Sequence, residues 1–213
     1  MGSANAKVII DNTISGSITN NFDALQFGNV VGLISQTGAT YGEDFIGQVL
    51  NTDGGFDSLS GAPSIPLILT ANLTSDDNIG ITGFNAIKLI YGDLGLQIGE
   101  GALSILLALE TDAFGLDVIG SDVGDFTVQF FGNGGSLLGA ITQNIAADGF
   151  FGFRATGGDR IMGISITNTD LGGIGYDNIT FNQLTSNVPE PATMVLLGIG
   201  LAGLGAMRRR KID

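Results

Sequence analysis

Short apolar runs separated by polar turn residues fill roughly the first 180 positions of the chain. Between Asp125 and Phe131 every second residue is apolar, which is the period of a strand with one buried face. Four turn residues, Gly132 to Gly135, interrupt this pattern before it resumes. The two runs, Asp125–Phe131 and Ser136–Thr142, are therefore predicted to form a β-hairpin with a glycine-rich turn.

Further runs of this kind are rich in β-branched and aromatic residues and are bounded by Gly, Asn, Asp, Ser and Thr. The continuous aliphatic run Leu103–Leu109 fits either a strand buried on both faces or a short helix, and periodicity alone leaves both open. Together the runs predict an all-β fold, a two-sheet antiparallel β-sandwich of jelly-roll type. The other predicted strands are Val8–Ile10, Phe22–Phe27, Phe45–Leu50, Ile65–Ala71, Ile87–Tyr91, Leu103–Glu110, Phe114–Ile119, Phe150–Phe153, Ile161–Asn168 and Tyr176–Phe181.

The end of the chain has a different pattern. Pro189, Glu190 and Pro191 precede an uncharged run over 192–207, which four basic residues close. As a helix this run would extend roughly 24 Å, slightly short of a membrane span. The basic residues favour the cytoplasmic side, so the rest of the chain would lie across the membrane. The alternative is a buried core helix with a basic end. The basic residues are Arg208, Arg209, Arg210 and Lys211.

The beginning of the chain is consistent with export. Met1 to Ser3 has the form of an expression leader, and Ala4-Asn5-Ala6 fits the A-x-A remnant of a signal peptide. We therefore divide the chain into a leader or signal-peptide remnant at 1–6, a β-sandwich domain at 7–186 and a tail at 187–213.

The tail resembles the PEP-CTERM sorting signal. The matching features are Val188-Pro189-Glu190-Pro191, the glycine- and leucine-rich run, and the basic end at Arg208 to Lys211. The resemblance implies an exported bacterial protein that is anchored transiently in the inner membrane. It also implies an exosortase partner, which cleaves near the Pro-Glu-Pro box. The mature form would then be at the cell surface or extracellular.

Charge restricts the partners of the body. Residues 1–188 contain 19 acidic and four basic residues, a formal net charge of −15. Such a surface repels nucleic acid and attracts divalent cations. The chain has no cysteine, so neither disulfides nor thiolate metal sites stabilise the fold. Its stability must come from the hydrophobic core, and bound calcium is a candidate for an additional contribution.

The absence of histidine and cysteine removes most catalytic chemistries, including Ser-His-Asp triads, cysteine nucleophiles and histidine bases. The catalytic arrangement that this composition leaves is a carboxylate pair of the glycosidase type. Nothing in the sequence brings two such acids together, and we expect no enzymatic activity. The acids considered are Glu43, Asp44, Glu100 and Glu110.

The segment from Phe114 to Phe181 also resembles jelly-roll carbohydrate-binding modules, through DFTVQFFGNGGSLLG, GFFGF, RIMGISITN and GYDNITF. This resemblance implies a structural calcium ion held by Asp23 and Asp177, with Asn178 as a weaker third ligand. Oxygen ligands from carboxylates and turn carbonyls suit calcium. The alternative is that these residues cap turns or strand ends.

Two other acidic clusters, 53–57 and 76–78, lack the spacing of an EF-hand and are interpreted as turns. No tryptophan is present to stack on a sugar. Tyr41, Tyr91 and Tyr176 could replace it, although tyrosines in such strands commonly pack in the core.

Two functions of different classes follow. The first is a structural or adhesive component of the cell surface or biofilm matrix, associated with exopolysaccharide and capable of self-association. The alternative is a carbohydrate-binding module that retains exopolysaccharide, with binding residues that the sequence does not identify.

Overall fold

Every regular element in the described part of the chain is a β-strand. The computed structural model describes residues 7–71, 78–84, 87–94, 97–121 and 123–183. Its strands are β1 Val8–Ile10, β2 Ile18–Asn20, β3 Gly28–Val30, β4 Ile34–Gln36, β5 Ala39–Gly42, β6 Val49–Asp53, β7 Phe56–Ser60, β8 Ile79–Phe84, β9 Ile87–Leu94, β10 Gln97–Gly101, β11 Leu103–Thr111, β12 Ala113–Ile119, β13 Asp125–Phe131, β14 Leu137–Asn144, β15 Gly149–Ala155, β16 Ile161–Asn168 and β17 Gly175–Phe181.

These strands form three antiparallel sheets within the described ranges. The first has nine strands, in the order β1-β15-β12-β17-β9-β8-β3, with β10 paired to β9 and β2 paired to β17. The second has six strands, in the order β14-β13-β16-β11-β5-β4. The third is the hairpin β6-β7. The last strand, β17, therefore lies in the middle of the larger sheet.

The hairpin predicted from alternation is present as β13 and β14. Its turn is closed by hydrogen bonds from Gly132 N to Ser136 O and from Gly135 N to Gly132 O, both 2.9 Å. Gly135 has a φ of 69°, a conformation that glycine adopts without a steric penalty. The apolar residues of β13 that alternate, Phe126 and Phe130 among them, are buried in the main core.

The two large sheets pack face to face in a β-sandwich-like arrangement. Phe130 of the six-stranded sheet lies with its ring centroid 6.3 Å from that of Phe114 and 5.0 Å from that of Phe153, both on the nine-stranded sheet. One buried cluster includes side chains of both sheets. Because aromatic rings bury large apolar areas, this cluster supplies the main cohesion of the sandwich.

The aliphatic run at Leu103 is a strand, not a helix. Ile105 and Leu107 are buried in the main core, whereas Leu106 packs into a second cluster outside it. A strand places successive side chains on opposite faces. Both faces of β11 are covered over residues 103–107, which explains the aliphatic sequence there, whereas Leu109 is 42% exposed.

Two predicted strands, Phe45–Leu50 and Ile65–Ala71, are wrong. Only residues 49 and 50 belong to a strand there, and the two segments share one isolated bridge between Phe45 and Leu69. Phe45, Leu67 and Leu69 bury their side chains against Phe131 in the second cluster. These segments are apolar because they cover the outer face of the six-stranded sheet, not because they extend it.

The predicted strand Phe22–Phe27 is also wrong. Its residues form a turn closed by a hydrogen bond from Leu25 N to Phe22 O. Phe22 is buried, but Phe27 is 66% exposed, so apolar character at both ends did not indicate a common face. The structure also contains short strands without a predicted counterpart, namely β2, β3, β4, β5, β7, β8 and β10.

The all-β class with antiparallel sheets is confirmed. The predicted C-terminal helix, over 192–207, lies outside the described residues. Within the ranges described, no helix has the length and apolar character needed to cross a membrane.

Candidate functional site

The structure brings the two predicted calcium ligands, Asp23 and Asp177, near each other. Asp23 lies in the turn after β2, where its Oδ1 accepts a hydrogen bond of 3.3 Å from the backbone N of Lys88. Asp177 lies in β17, directly opposite Asp117 of β12. Asp117 was not among the predicted ligands, because only the pairing of β12 with β17 brings it opposite Asp177.

Burial raises the pKa of Asp177, and the charges of Asp23 and Asp117 raise it further. The backbone N–H of Asn178 acts in the opposite direction. Asp177 is only 3% exposed, and its Oδ1 has no hydrogen-bond partner. This oxygen is thus a buried acceptor that faces other carboxylates.

The predicted third ligand, Asn178, has an unusual backbone. Its φ is 44°, a left-handed value that Asn tolerates better than most residues. Its side-chain Nδ2 donates a hydrogen bond of 2.9 Å to Oδ2 of Asp117. The amide therefore already links two strands on this surface.

Lys88 is bound to the backbone of the turn that carries Asp23. Nζ of Lys88 donates to the backbone O of Asp23 at 2.8 Å and to the backbone O of Leu25. It also lies 5.0 Å from the ring centroid of Phe27. In the described part of the chain, no three Asp, Glu, His or Cys side chains are close enough together to hold a metal ion. Calcium at Asp23, Asp177 and Asn178 therefore stays a prediction.

A second group of acids is buried near the ends of β9 and β10. Burial raises the pKa of Glu100, and the charges of Asp170 and Asp93 add to that effect. Asp170 accepts hydrogen bonds from Gly172 N at 2.8 Å and Val123 N at 3.2 Å. Oε2 of Glu100 has no hydrogen-bond partner. This group was not recognised from the sequence, because its members lie far apart along the chain.

The other acids considered for catalysis lie on different elements. Glu43 and Asp44 follow β5, whereas Glu110 lies in β11. Burial raises the pKa of Asp44, and a hydrogen bond with Thr70 partly offsets this shift.

The tyrosines do not form an exposed stacking platform. Tyr41 and Tyr176 are buried, in agreement with the core-packing interpretation. The hydroxyl of Tyr91 donates a hydrogen bond of 2.6 Å to Oδ1 of Asn29. Burial, together with the nearby charge of Asp93, raises the pKa of Tyr91 to about 12.

A small cavity of about 180 Å³ lies beside Tyr91. Aliphatic side chains and glycine backbone form most of its wall, and Thr82 contributes a hydroxyl. Two glycines of its wall, Gly120 and Gly173, have φ values of 86° and 70°, in the left-handed region that glycine adopts without a steric penalty. The lining residues are Thr82, Gly83, Leu89, Tyr91, Ile119, Gly120, Gly172, Gly173, Ile174 and Gly175.

The two remaining acidic clusters have different outcomes. Residues 54 and 55 form the predicted turn between β6 and β7, whereas residues 53, 56 and 57 lie in these two strands. Asp57 accepts hydrogen bonds from Thr52 Oγ1 at 2.8 Å and from Ala102 N at 2.9 Å, which ties this hairpin to the sandwich. Of the 76–78 cluster, residues 76 and 77 lie outside the described ranges.

Comparison with known protein families identifies the tail of the chain. No curated protein shows a significant match to the chain. The model of the PEP-CTERM protein-sorting motif matches residues 187–211. This range includes Val188 to Pro191 and the basic residues Arg208 to Lys211, all of which lie outside the described part of the structure. The chain therefore carries a PEP-CTERM protein-sorting motif at its C-terminal end.

Proposed function

We propose that the protein is an exported surface or matrix component whose precursor is held in the membrane and processed by an exosortase. The match of residues 187–211 to the sorting motif carries this proposal. PEP-CTERM signals are recognised by exosortases, so this enzyme is the expected partner. The roles of matrix cohesion and adhesion rest on the properties of the body.

Two properties of the body support a structural role. Its sheets are antiparallel and joined by an aromatic core. Its composition gives a strongly negative charge without cysteine. We further infer a jelly-roll connection, because β11 to β13 and β14 to β17 pass repeatedly between the two large sheets.

The sorting step can be tested by replacing Pro189, Glu190 and Pro191 with alanine. The variant is expected to accumulate as full-length protein in the membrane fraction, because the exosortase no longer recognises it. A matched control replaces Thr185 and Ser186, just before the matched range, and should be processed normally. Equal processing of both variants would refute exosortase sorting through this motif.

Self-association is proposed through β14, the terminal strand in the order of the six-stranded sheet. Its residues Leu137–Asn144 include no charge and no proline, the usual protection of exposed edges. Sedimentation velocity should show concentration-dependent oligomers that Leu137→Lys weakens. Leu171→Lys, at an exposed position in a turn, is the control. A strictly monomeric wild-type profile would remove this part of the proposal.

Structural calcium at Asp23, Asp177 and Asn178 is also proposed. The residues suit the ion, since Oδ1 of Asp177 is a buried acceptor without a partner and the surrounding acids attract a cation. Chelation should then lower the thermal midpoint of wild-type protein, and Asp177→Asn should respond less to chelation than wild type. Identical responses would exclude a calcium ion at this position.

Carbohydrate binding is the second candidate, and the cavity beside Tyr91 favours it. The cavity combines aliphatic walls, a hydroxyl and backbone groups, as small-ligand sites commonly do. A glycan array with and without chelator should show saturable binding to one sugar class. Thr82→Tyr should abolish that binding by filling the cavity, whereas Thr142→Tyr on exposed β14 should not. An array without any hit would count against carbohydrate binding, and the structural role would be the remaining candidate.

A further inference from the structure

The oxygens around Asp93, on β9, suggest a cation site separate from the one at Asp177. The pairing of Ile79 with Gly92 places Asn78 directly opposite Asp93, and Asp93 N donates a 2.7 Å hydrogen bond to Asn78 O. Directly opposed residues of an antiparallel pair project their side chains to the same face. Asn78 and Asp93 therefore share one side of the sheet, where Oδ2 of Asp93 accepts a hydrogen bond from Nδ2 of Asn29.

On its other side, Asp93 pairs with β10. Ile98 lies opposite Asp93 and Gly101 lies opposite Gly92, so Gly99 and Glu100 form a bulge between these pairs. A bulge redirects side chains from the regular alternation of a strand. The bulge holds Glu100 beside Asp93, because a Cβ added at the next residue, Gly101, would lie 2.5 Å from Asp93 N.

Two of these three residues hold buried oxygens without hydrogen-bond partners. Asn78 is 0% exposed, and its Nδ2 donates to Val30 O at 2.6 Å and Gly32 O at 3.2 Å, while its Oδ1 accepts nothing. Glu100 is 5% exposed, and its Oε2 has no partner. Buried oxygens of this kind are costly unless a donor or a cation satisfies them.

Within the described ranges, no basic side chain remains to neutralise Glu100. Each of the four basic residues present there is engaged elsewhere, and the chain's other bases are Arg208 to Lys211. The four are Lys7 with Asp159, Lys88 with the carbonyls of Asp23 and Leu25, Arg154 with Asp11, and Arg160 with the carbonyl of Asp159.

We propose that Asn78, Asp93 and Glu100 bind a hard divalent cation of the calcium type. One amide oxygen and two carboxylates are ligands that calcium prefers, and water can fill the remaining positions. This set contains only two acids, so it is compatible with the absence of a three-acid metal group among the described residues. The cation would join β8, β9 and β10 at one end of the larger sheet.

The test is calorimetric titration of the chelated full-length protein with calcium chloride, together with thermal unfolding in calcium and in chelator. Glu100→Gln should weaken calcium binding at this site more than about tenfold and should remove its thermal shift. In chelator the same variant should melt at or above the wild-type temperature, because it removes an uncompensated buried charge. Glu110→Gln, an identical change on β11, should behave as wild type.

Asp177→Asn separates this site from the calcium ion proposed above. The variant should retain one calcium-binding event, and adding Glu100→Gln to it should abolish that event. Wild-type calcium binding that Glu100→Gln leaves unchanged would overturn the proposal. A protonated Glu100 without a cation would also overturn it, and would give wild-type and Glu100→Gln proteins that respond equally little to calcium. Loss of every binding event in Asp177→Asn would assign all calcium to the other site.

Discussion

Nε of Arg154 donates a hydrogen bond of 2.7 Å to Oδ2 of Asp11. The pair connects β15 to the residue that follows β1, the edge strand of the nine-stranded sheet. Oδ1 of Asp11 also accepts hydrogen bonds from the Thr13 side chain at 2.5 Å and from its backbone N at 3.1 Å. The Thr13 side chain first, and then Arg154, lower the pKa of Asp11 to about 2.

This shift predicts an acid-dependent stability of the β1 edge. A lowered folded-state pKa means that the contribution is fully present above the ordinary value of 3.8 and is lost as the pH falls towards 2. Asp11→Asn should therefore show a shallower fall of the urea midpoint between pH 4 and pH 2 than wild type. Parallel curves for the two proteins would contradict this role of Asp11.

Gly124 is predicted to be irreplaceable for steric reasons. Its φ is 112°, and an added Cβ would lie 2.7 Å from the carbonyl oxygen of Thr169. Gly124→Ala should cost more than about 3 kcal/mol of unfolding free energy, through backbone strain and overpacking together. Gly157 has a φ of 65° and open space around it, so Gly157→Ala should cost only about 1–2 kcal/mol. Equal costs in urea unfolding would show that the Thr169 contact is unimportant.

Phe130 is predicted to contribute strongly to the packing between the two large sheets. It contacts both Phe114 and Phe153 across the sandwich, so its truncation leaves a cavity next to both rings. Phe130→Ala should lower the unfolding free energy by about 3–5 kcal/mol. Phe27→Ala, on the exposed ring beside Lys88, should cost no more than about 1 kcal/mol. A small effect at Phe130 would mean that the two sheets do not depend on this contact.

Local patterns predicted part of the sandwich. Asp125–Phe131 and Ile161–Asn168 were predicted with their observed limits; both contribute buried residues to the main core, while Phe131 and Met162 pack in the second cluster. Phe45, Leu67 and Leu69 misled the same reasoning, since they cover the outside of a sheet as irregular chain. An apolar residue indicates that its side chain is buried. Whether it is buried between the two sheets or on the outer face of one sheet depends on the tertiary structure.

The acidic sites show a similar limit. Asp23 and Asp177 could be selected only through a family resemblance, and Asp117 becomes visible once β12 pairs with β17. Asn78, Asp93 and Glu100 meet through a cross-strand pair and a bulge, neither of which leaves a local signature. The sorting motif is different, because its chemistry is contiguous in the sequence and needs no fold to be recognised.

Intact-mass spectrometry of protein recovered from the cell surface and the medium tests exosortase processing most directly. The expected mass lacks the basic end Arg208 to Lys211, with the new C-terminus near Pro189 to Pro191 and any attached group adding to that mass. Membrane-bound precursor from the same cells should retain the full tail. Exported protein that still ends in the intact basic sequence would contradict sorting by cleavage.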